Sequence, residues 1–198
     1  MLDTKARNII QPVFEIVADF CIRLNLSANN ITVFALIVGM IPSLLILIDM
    51  PRISVVVVLW LSGFLDALDG TIARKTKTSS AFGTVMDVTF DRLVEISLIL
   101  VLAYKYSLNP LAFIILSCSI ILSMTIFLTV GAVSNKVSNK SFYYQPGLAE
   151  RTEGFIMFSL MILFIRYLDL LALIFAAMIL FTALQRFIEA YNQLEKNK

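Results

Sequence analysis

The chain has 198 residues, room for one compact domain, and 59% of them are hydrophobic while only 15% carry charge. A mean hydropathy of +0.88 puts it outside the range of water-soluble domains, so lipid is the expected solvent for much of its surface. The net charge of +2 gives no footing for a nucleic-acid partner. The lack of histidine excludes a Ser-His-Asp triad, a histidine base and a histidine-ligated zinc site. Cys21 and Cys118 stand far apart and read as buried small hydrophobes rather than a disulfide or redox pair.

From the N-terminus, Lys5 to Leu24 alternates Ile9, Ile10, Val13, Phe14, Val17 and Phe20 with charged residues at near-helical spacing. This predicts an amphipathic helix on a membrane interface, with no unbroken apolar run of the signal-peptide kind. Residues 1–26 are therefore expected to form a juxtamembrane helix and 27–192 a single transmembrane domain. A transmembrane helix needs roughly 20 mostly apolar residues. Candidates run from Thr32 to Ile48, between Arg52 and Arg74, from Phe82 to Tyr104, within the uncharged stretch between Lys105 and Lys136, around Gly154 to Ile165, and from Leu170 to Phe187. The fifth is weakest, because its charge-free core is short. The predicted fold is all-α, an integral membrane bundle of six transmembrane helices preceded by the interfacial helix.

Six spans put both termini on one side, together with 12 of the 16 Lys and Arg residues. Arg52, Lys105 and Arg166 fall on the other side, and Arg92 falls within a span. Cytoplasmic loops are enriched in Lys and Arg, so both termini are expected in the cytoplasm.

Asp66, Asp69, Asp87, Asp91 and Glu95 lie inside two otherwise apolar spans. A carboxylate at the centre of a bilayer costs about 2.5–3.5 kcal/mol on insertion scales, so something must offset it. Asp66 and Asp69 are three residues apart, and Asp87 and Asp91 four, so each pair shares a helix face. The short segment from Lys75 to Ala81 predicts that the two helices are antiparallel neighbours, with their acids meeting at similar depth. Converging carboxylates repel one another unless cations lie between them, and an all-oxygen donor set suits Mg²⁺ or Mn²⁺. Two such ions about 3.5–4 Å apart form the usual clamp for in-line attack at phosphorus. Gly70 would admit a nucleotide to the helix backbone, Arg74 can grip phosphate bidentately, and Gly83 faces both from the next helix. Taken singly, the acids read as helix-end charges, the glycines as packing positions and Arg74 as an interfacial anchor.

Together the residues read Asp66-x₂-Asp69-Gly70-x₂-Ala73-Arg74-x₈-Gly83-x₃-Asp87-x₃-Asp91. This segment resembles the motif of the CDP-alcohol phosphatidyltransferase family. The resemblance implies that Asp66, Asp69, Asp87 and Asp91 bind two divalent cations, and that Asp91 is also the base for the acceptor hydroxyl. It implies that Gly70 and Arg74 hold the CDP moiety with Ser80 as a further contact, Ala73 and Gly83 packing beside them. Ala28-Asn29-Asn30-Ile31-Thr32 is similar to the family's Pro-Asn-x-Leu-Thr segment, with alanine in place of proline, which brings Asn29 and Thr32 to the nucleotide side. Alternatively Asn30 or Thr32 simply caps a helix. The implied reaction passes a phosphatidyl group from CDP-diacylglycerol to a small polar alcohol and releases CMP. A homodimer is implied as well.

The acceptor is less legible. Gly147 to Gly154 is similar to the Glu-Arg-x-Glu-Arg segment of members that use inositol phosphate, but Gly154 replaces its second arginine. The basic residues those members carry near Thr129 and Gly131 are also missing. Arg151 alone survives as an acceptor contact, with Lys136 and Lys140 as potential substitutes. Inositol phosphate is therefore disfavoured. An intramembrane divalent-cation transporter would explain the acids but not Arg74 and the two glycines beside them. A polyprenyl-diphosphate transferase would lack the Gly-x₂-Ala-Arg element.

Overall fold

In the computed structural model the described residues are 2–133 and 151–195, with side chains from 11 to 133 and from 151 to 192. Lys136, Lys140 and the Gly147–Glu150 stretch lie outside them. Within the described residues the chain is all-helical: α1 (Leu2–Arg23), α2 (Ala28–Leu47), α3 (Arg52–Thr76), α4 (Ala81–Tyr106), α5 (Pro110–Val133), α6 (Arg151–Leu163), a 3₁₀ turn (Ile165–Tyr167) and α7 (Leu168–Glu195). Two compact units result, one of residues 4–106 and one of residues 107–198 with 1–3.

Among the described residues four helices, α2, α3, α5 and the segment from Ile165 to Asn192, are long and apolar enough to cross a membrane. With 26 residues α4 spans roughly 39 Å at 1.5 Å per residue. Its length suffices, but Asp87, Asp91, Arg92 and Glu95 keep it from being uniformly apolar. The 13 described residues of α6 cover about 20 Å. Along α2 the outward-facing stripe is apolar, as lipid requires: Val33, Phe34, Ile37, Met40, Leu44 and Leu47; on α5, Cys118, expected to be buried, faces outward.

In the unit of residues 4–106, α2 is the central element. Antiparallel to it runs α3, with Thr32 opposite Asp69 and Gly39 beside Ser62. Parallel to it runs α4, with Asn29 near Gly83, Gly39 against Val94, and the Ser43 and Ser97 hydroxyls 2.8 Å apart. Three helices converge at Gly39, where an added Cβ would lie 2.5 Å from Val94 Cγ2 and 3.2 Å from Ser62 Oγ. It follows that α3 and α4 run antiparallel to each other, as expected; each packs more extensively on α2 than on the other, and their acids meet at one end.

The helix ends follow local rules. Ser27 caps α2 by accepting from Asn30 N–H at 3.2 Å, so neither Asn30 nor Thr32 is the cap. Lys77 closes α3 in the left-handed conformation, with Thr78 N–H bonded back to Ala73 O. At the far end of α2, the Lys105 ammonium donates to Ile46 O at 2.6 Å, Leu47 O at 2.9 Å and Asp49 Oδ1 at 2.8 Å, satisfying terminal carbonyls from α4. That ammonium holds the Asp49 carboxyl below the usual carboxylate range. The N-terminal segment is helical, as α1. Ala18 and Cys21 are buried against Leu68 and Ile72, Phe14 stacks on Phe64 at 4.9 Å, and Lys75 pairs with Asp19 at 2.7 Å.

In the unit containing α5, α6 and α7, Asp169 at the start of α7 holds the turn that leads into α5. Its carboxylate accepts from Ser107 Oγ at 2.7 Å, Leu108 N–H at 3.1 Å and Asn109 N–H at 2.9 Å. Further along, the Arg186 guanidinium lies 5.1 Å from the Phe127 ring centroid and 3.5 Å from Ser123 Oγ.

Candidate active site

The polar ends of α3 and α4 bring three carboxylates together. Asp66, Asp69 and Asp87 each present an oxygen, and these oxygens all lie within 4.8 Å of one another. Asp66 and Asp69 are buried and Asp87 half-buried. Asp91 follows one turn further along α4, also half-buried, and is not one of the three. Helical spacing explains the arrangement: residues three or four apart share a face, and α2 holds α3 and α4 so that those faces meet.

Ionised carboxylates this close, with little water, repel strongly, and a hard cation between them reverses the sign of the interaction. An all-oxygen donor set without histidine or thiolate is the set that Mg²⁺ and Mn²⁺ prefer. The residues present fit a divalent cation.

Around the acids, the other candidates fall into three places. Gly70 and Arg74 follow Asp69 on α3. Arg74 is exposed, and its guanidinium folds back along its own helix to donate to Thr71 Oγ1 at 3.1 Å. A Cβ on Gly70 would lie 3.2 Å from Arg74 Nη1, so the glycine leaves the room in which that guanidinium rests. Asn29, Ser80 and Gly83 meet at the second place: a Cβ on Gly83 would lie 3.1 Å from Ser80 Oγ and 3.5 Å from Asn29 Oδ1. Ser80 caps α4, its hydroxyl accepting from Gly83 N–H at 3.0 Å. Thr32 is the third: it is buried, and its hydroxyl donates to Asp69 Oδ2 at 2.5 Å. Ala73 packs against the apolar cluster between α1, α2 and α3. Arg151 opens α6 in the other unit, its guanidinium 6.0 Å from the Phe155 ring centroid.

Two residues with polar contacts in these helices fall outside the motif: Thr71, which the sequence did not single out, and Glu95, which it showed only as one of five acids within apolar spans. Thr71 sits in a motif gap, buried, between Ala67 O and Arg74. Glu95 pairs with Arg92 one turn beyond Asp91. The i,i+3 spacing of Arg92 and Glu95 was the available signal.

An all-helical chain with apolar spans and a carboxylate cluster at their polar end defines a class of metal-binding membrane protein. The family is then fixed by sequence: residues 25–188 match the model of the CDP-alcohol phosphatidyltransferases, and the chain belongs to that family. It is 31% identical over 153 residues to the inner membrane protein YnjF of Escherichia coli, covering 72% of this chain and 73% of that protein. It is 29% identical over 96 residues to the archaetidylinositol phosphate synthase of Pyrococcus horikoshii, covering 48% of this chain and 50% of that protein. Its fold is shared with the phosphatidylinositol phosphate synthase of Mycobacterium tuberculosis crystallised with CDP-DAG bound, at a TM-score of 0.74 and 18% identity over 91% of this chain and 94% of that one. The same enzyme in complex with manganese and citrate superposes with a TM-score of 0.74 at 19% identity, over 90% of this chain and 88% of that one.

Proposed function

We propose that the protein transfers the phosphatidyl group of CDP-diacylglycerol to a small polar alcohol and releases CMP, using two divalent cations held by Asp66, Asp69, Asp87 and Asp91. The observation that carries this reading is the meeting of Asp66, Asp69 and Asp87 oxygens within 4.8 Å at the polar end of two apolar helices, in a chain of this family. The related M. tuberculosis enzyme with CDP-DAG bound, and its manganese complex, support the donor and the type of ion.

Bound divalent cations supply charge neutralisation for the diphosphate and for the departing CMP. Asp91 takes the proton from the acceptor hydroxyl, whose oxygen forms a bond to the lipid-side phosphorus. The bond from that phosphorus to the bridging oxygen breaks, and its electron pair leaves with CMP. Arg74, swung off Thr71, pairs with the phosphates, while Gly70, Asn29 and Ser80 contact the nucleotide. Six spans fit the Lys and Arg distribution, with α4 and α6 joining the four helices that are long and apolar enough to cross, and residues 27–192 forming the catalytic domain. Both termini and the active site then face the cytoplasm, and the chain works as a homodimer. Through its exposed side chains Val13, Ile16 and Phe20, α1 rests on the membrane interface.

Arg151 contacts the acceptor. Of the acceptor cations typical of inositol-phosphate users it is the one retained, so the preferred alcohol is less highly charged than inositol phosphate. Purified protein incubated with CDP-diacylglycerol, Mn²⁺ and a panel of alcohols should yield CMP and one dominant phospholipid by mass spectrometry. Mn²⁺ or Mg²⁺ flux into vesicles without CMP release would replace this reading with a transporter.

A further inference from the structure

A threonine inside an α-helix ordinarily returns its hydroxyl proton to the carbonyl one turn back. Thr32 has that partner, Ala28 O, at 3.0 Å, yet the Asp69 carboxylate oxygen lies closer, at 2.5 Å. One hydroxyl has one proton. An ionised acceptor at this distance forms a charge-assisted bond, about twice as strong as a neutral one, so the proton goes to Asp69. Both residues are buried, at 5% and 6% exposure, where screening by water is weakest. The contact joins α2 to α3, 37 positions apart in sequence.

We propose that Thr32 is a positioning residue for the cation site, acting through Asp69 rather than on the nucleotide; this rests on the metal-binding reading above. A carboxylate on a helix can rotate about its terminal torsion, which is broad and roughly two-fold. Held at one oxygen by a hydroxyl on the neighbouring helix, the group keeps one orientation and offers its remaining lone pairs toward Asp66 and Asp87. Partners of this kind behind metal ligands typically matter by about 10–100-fold in metal affinity. Such a role explains why Thr32 is buried while Asn29, from the same segment, is exposed at the helix end.

The test is a Mn²⁺ titration of the purified full-length protein without CDP-lipid, following free Mn²⁺ by electron paramagnetic resonance. Thr32→Val keeps the shape and removes the hydroxyl; Thr32→Ser keeps the hydroxyl. We expect Thr32→Val to weaken Mn²⁺ binding by about 10–100-fold, Thr32→Ser to retain most of the affinity, and Thr32→Val to add nothing in an Asp69→Asn background. Thr32→Val that binds Mn²⁺ like the wild type overturns the proposal, whether or not the KM for CDP-diacylglycerol rises. Equal losses in Thr32→Val and Thr32→Ser would assign the effect to packing and overturn it too. Should the valine variant not purify folded, Thr32→Ala against Thr32→Ser gives the same contrast. A wild-type protein without Mn²⁺ affinity would instead remove the cation reading itself, and the proposal with it.

Discussion

Gly70 and Asp91 illustrate how a single side chain, or its absence, separates binding from stability. A Cβ at Gly70 meets only the far end of the flexible Arg74 side chain. The fold should therefore accept alanine and gain roughly 0.5–1 kcal/mol of helix stability. The guanidinium, displaced from its resting place, should bind phosphate less well. Gly70→Ala is thus expected to keep or raise the thermal midpoint while increasing the KM for CDP-diacylglycerol, a split that parallel melting and steady-state assays resolve. Asp91 stands one turn along α4 from Asp87, and the proposed reaction gives it the acceptor's proton. Asp91→Asn should lower CMP release by about 10²–10⁴-fold, the usual contribution of a positioned general base. An asparagine variant with wild-type turnover would remove that role.

At the level of elements, α2 organises its unit, and its contacts are most exacting at Gly39. The space there is filled from α4 by the branched end of Val94, which cannot swing away as a long side chain would. Overpacking costs typically about 1–3 kcal/mol, against at most about 1 kcal/mol gained from alanine's helix propensity, so the clash wins. Gly39→Ala should lower the melting point in detergent, and adding Val94→Ala should restore it. At the opposite end of α2, the exposed Asp49 carboxylate has its pKa depressed by the Lys105 ammonium. A carboxyl whose pKa is lower folded than unfolded stabilises the fold above its unfolded pKa, about 4, and loses that contribution as pH falls through the folded value. Asp49→Asn should therefore show a slightly flatter loss of stability below pH about 4, with the difference from wild type constant between neutral pH and that point.

For the molecule as a whole, the proposed cation site predicts that folding and metal loading are coupled. Converging Asp66, Asp69 and Asp87 carboxylates repel one another when ionised, and a bound cation would offset that repulsion. Chelation should abolish CMP release and lower the thermal midpoint, and Mn²⁺ should reverse both. An ion at 100 times its dissociation constant stabilises the native state by about 2.7 kcal/mol. A midpoint indifferent to EDTA and Mn²⁺ would argue that the acids are neutralised in another way.

Composition pointed to lipid, and apolar runs of about 20 residues selected helices, which satisfy their own backbone hydrogen bonds in hydrocarbon. Local spacing then put Asp66 with Asp69 and Asp87 with Asp91, since helical periodicity is a property of the segment itself. The start of α2 was legible only to within a turn, because Ser27, Asn30 and Thr32 all carry capping oxygens and the backbone selects among them. Only the tertiary structure decided that α3 and α4 each lean on α2, that Arg74 rests over Gly70, and that the Thr32 hydroxyl turns from its own helix to Asp69. Those outcomes depend on which distant surfaces pack most closely, at positions such as Gly39 and Val94, and no periodicity within a single segment encodes a contact between two.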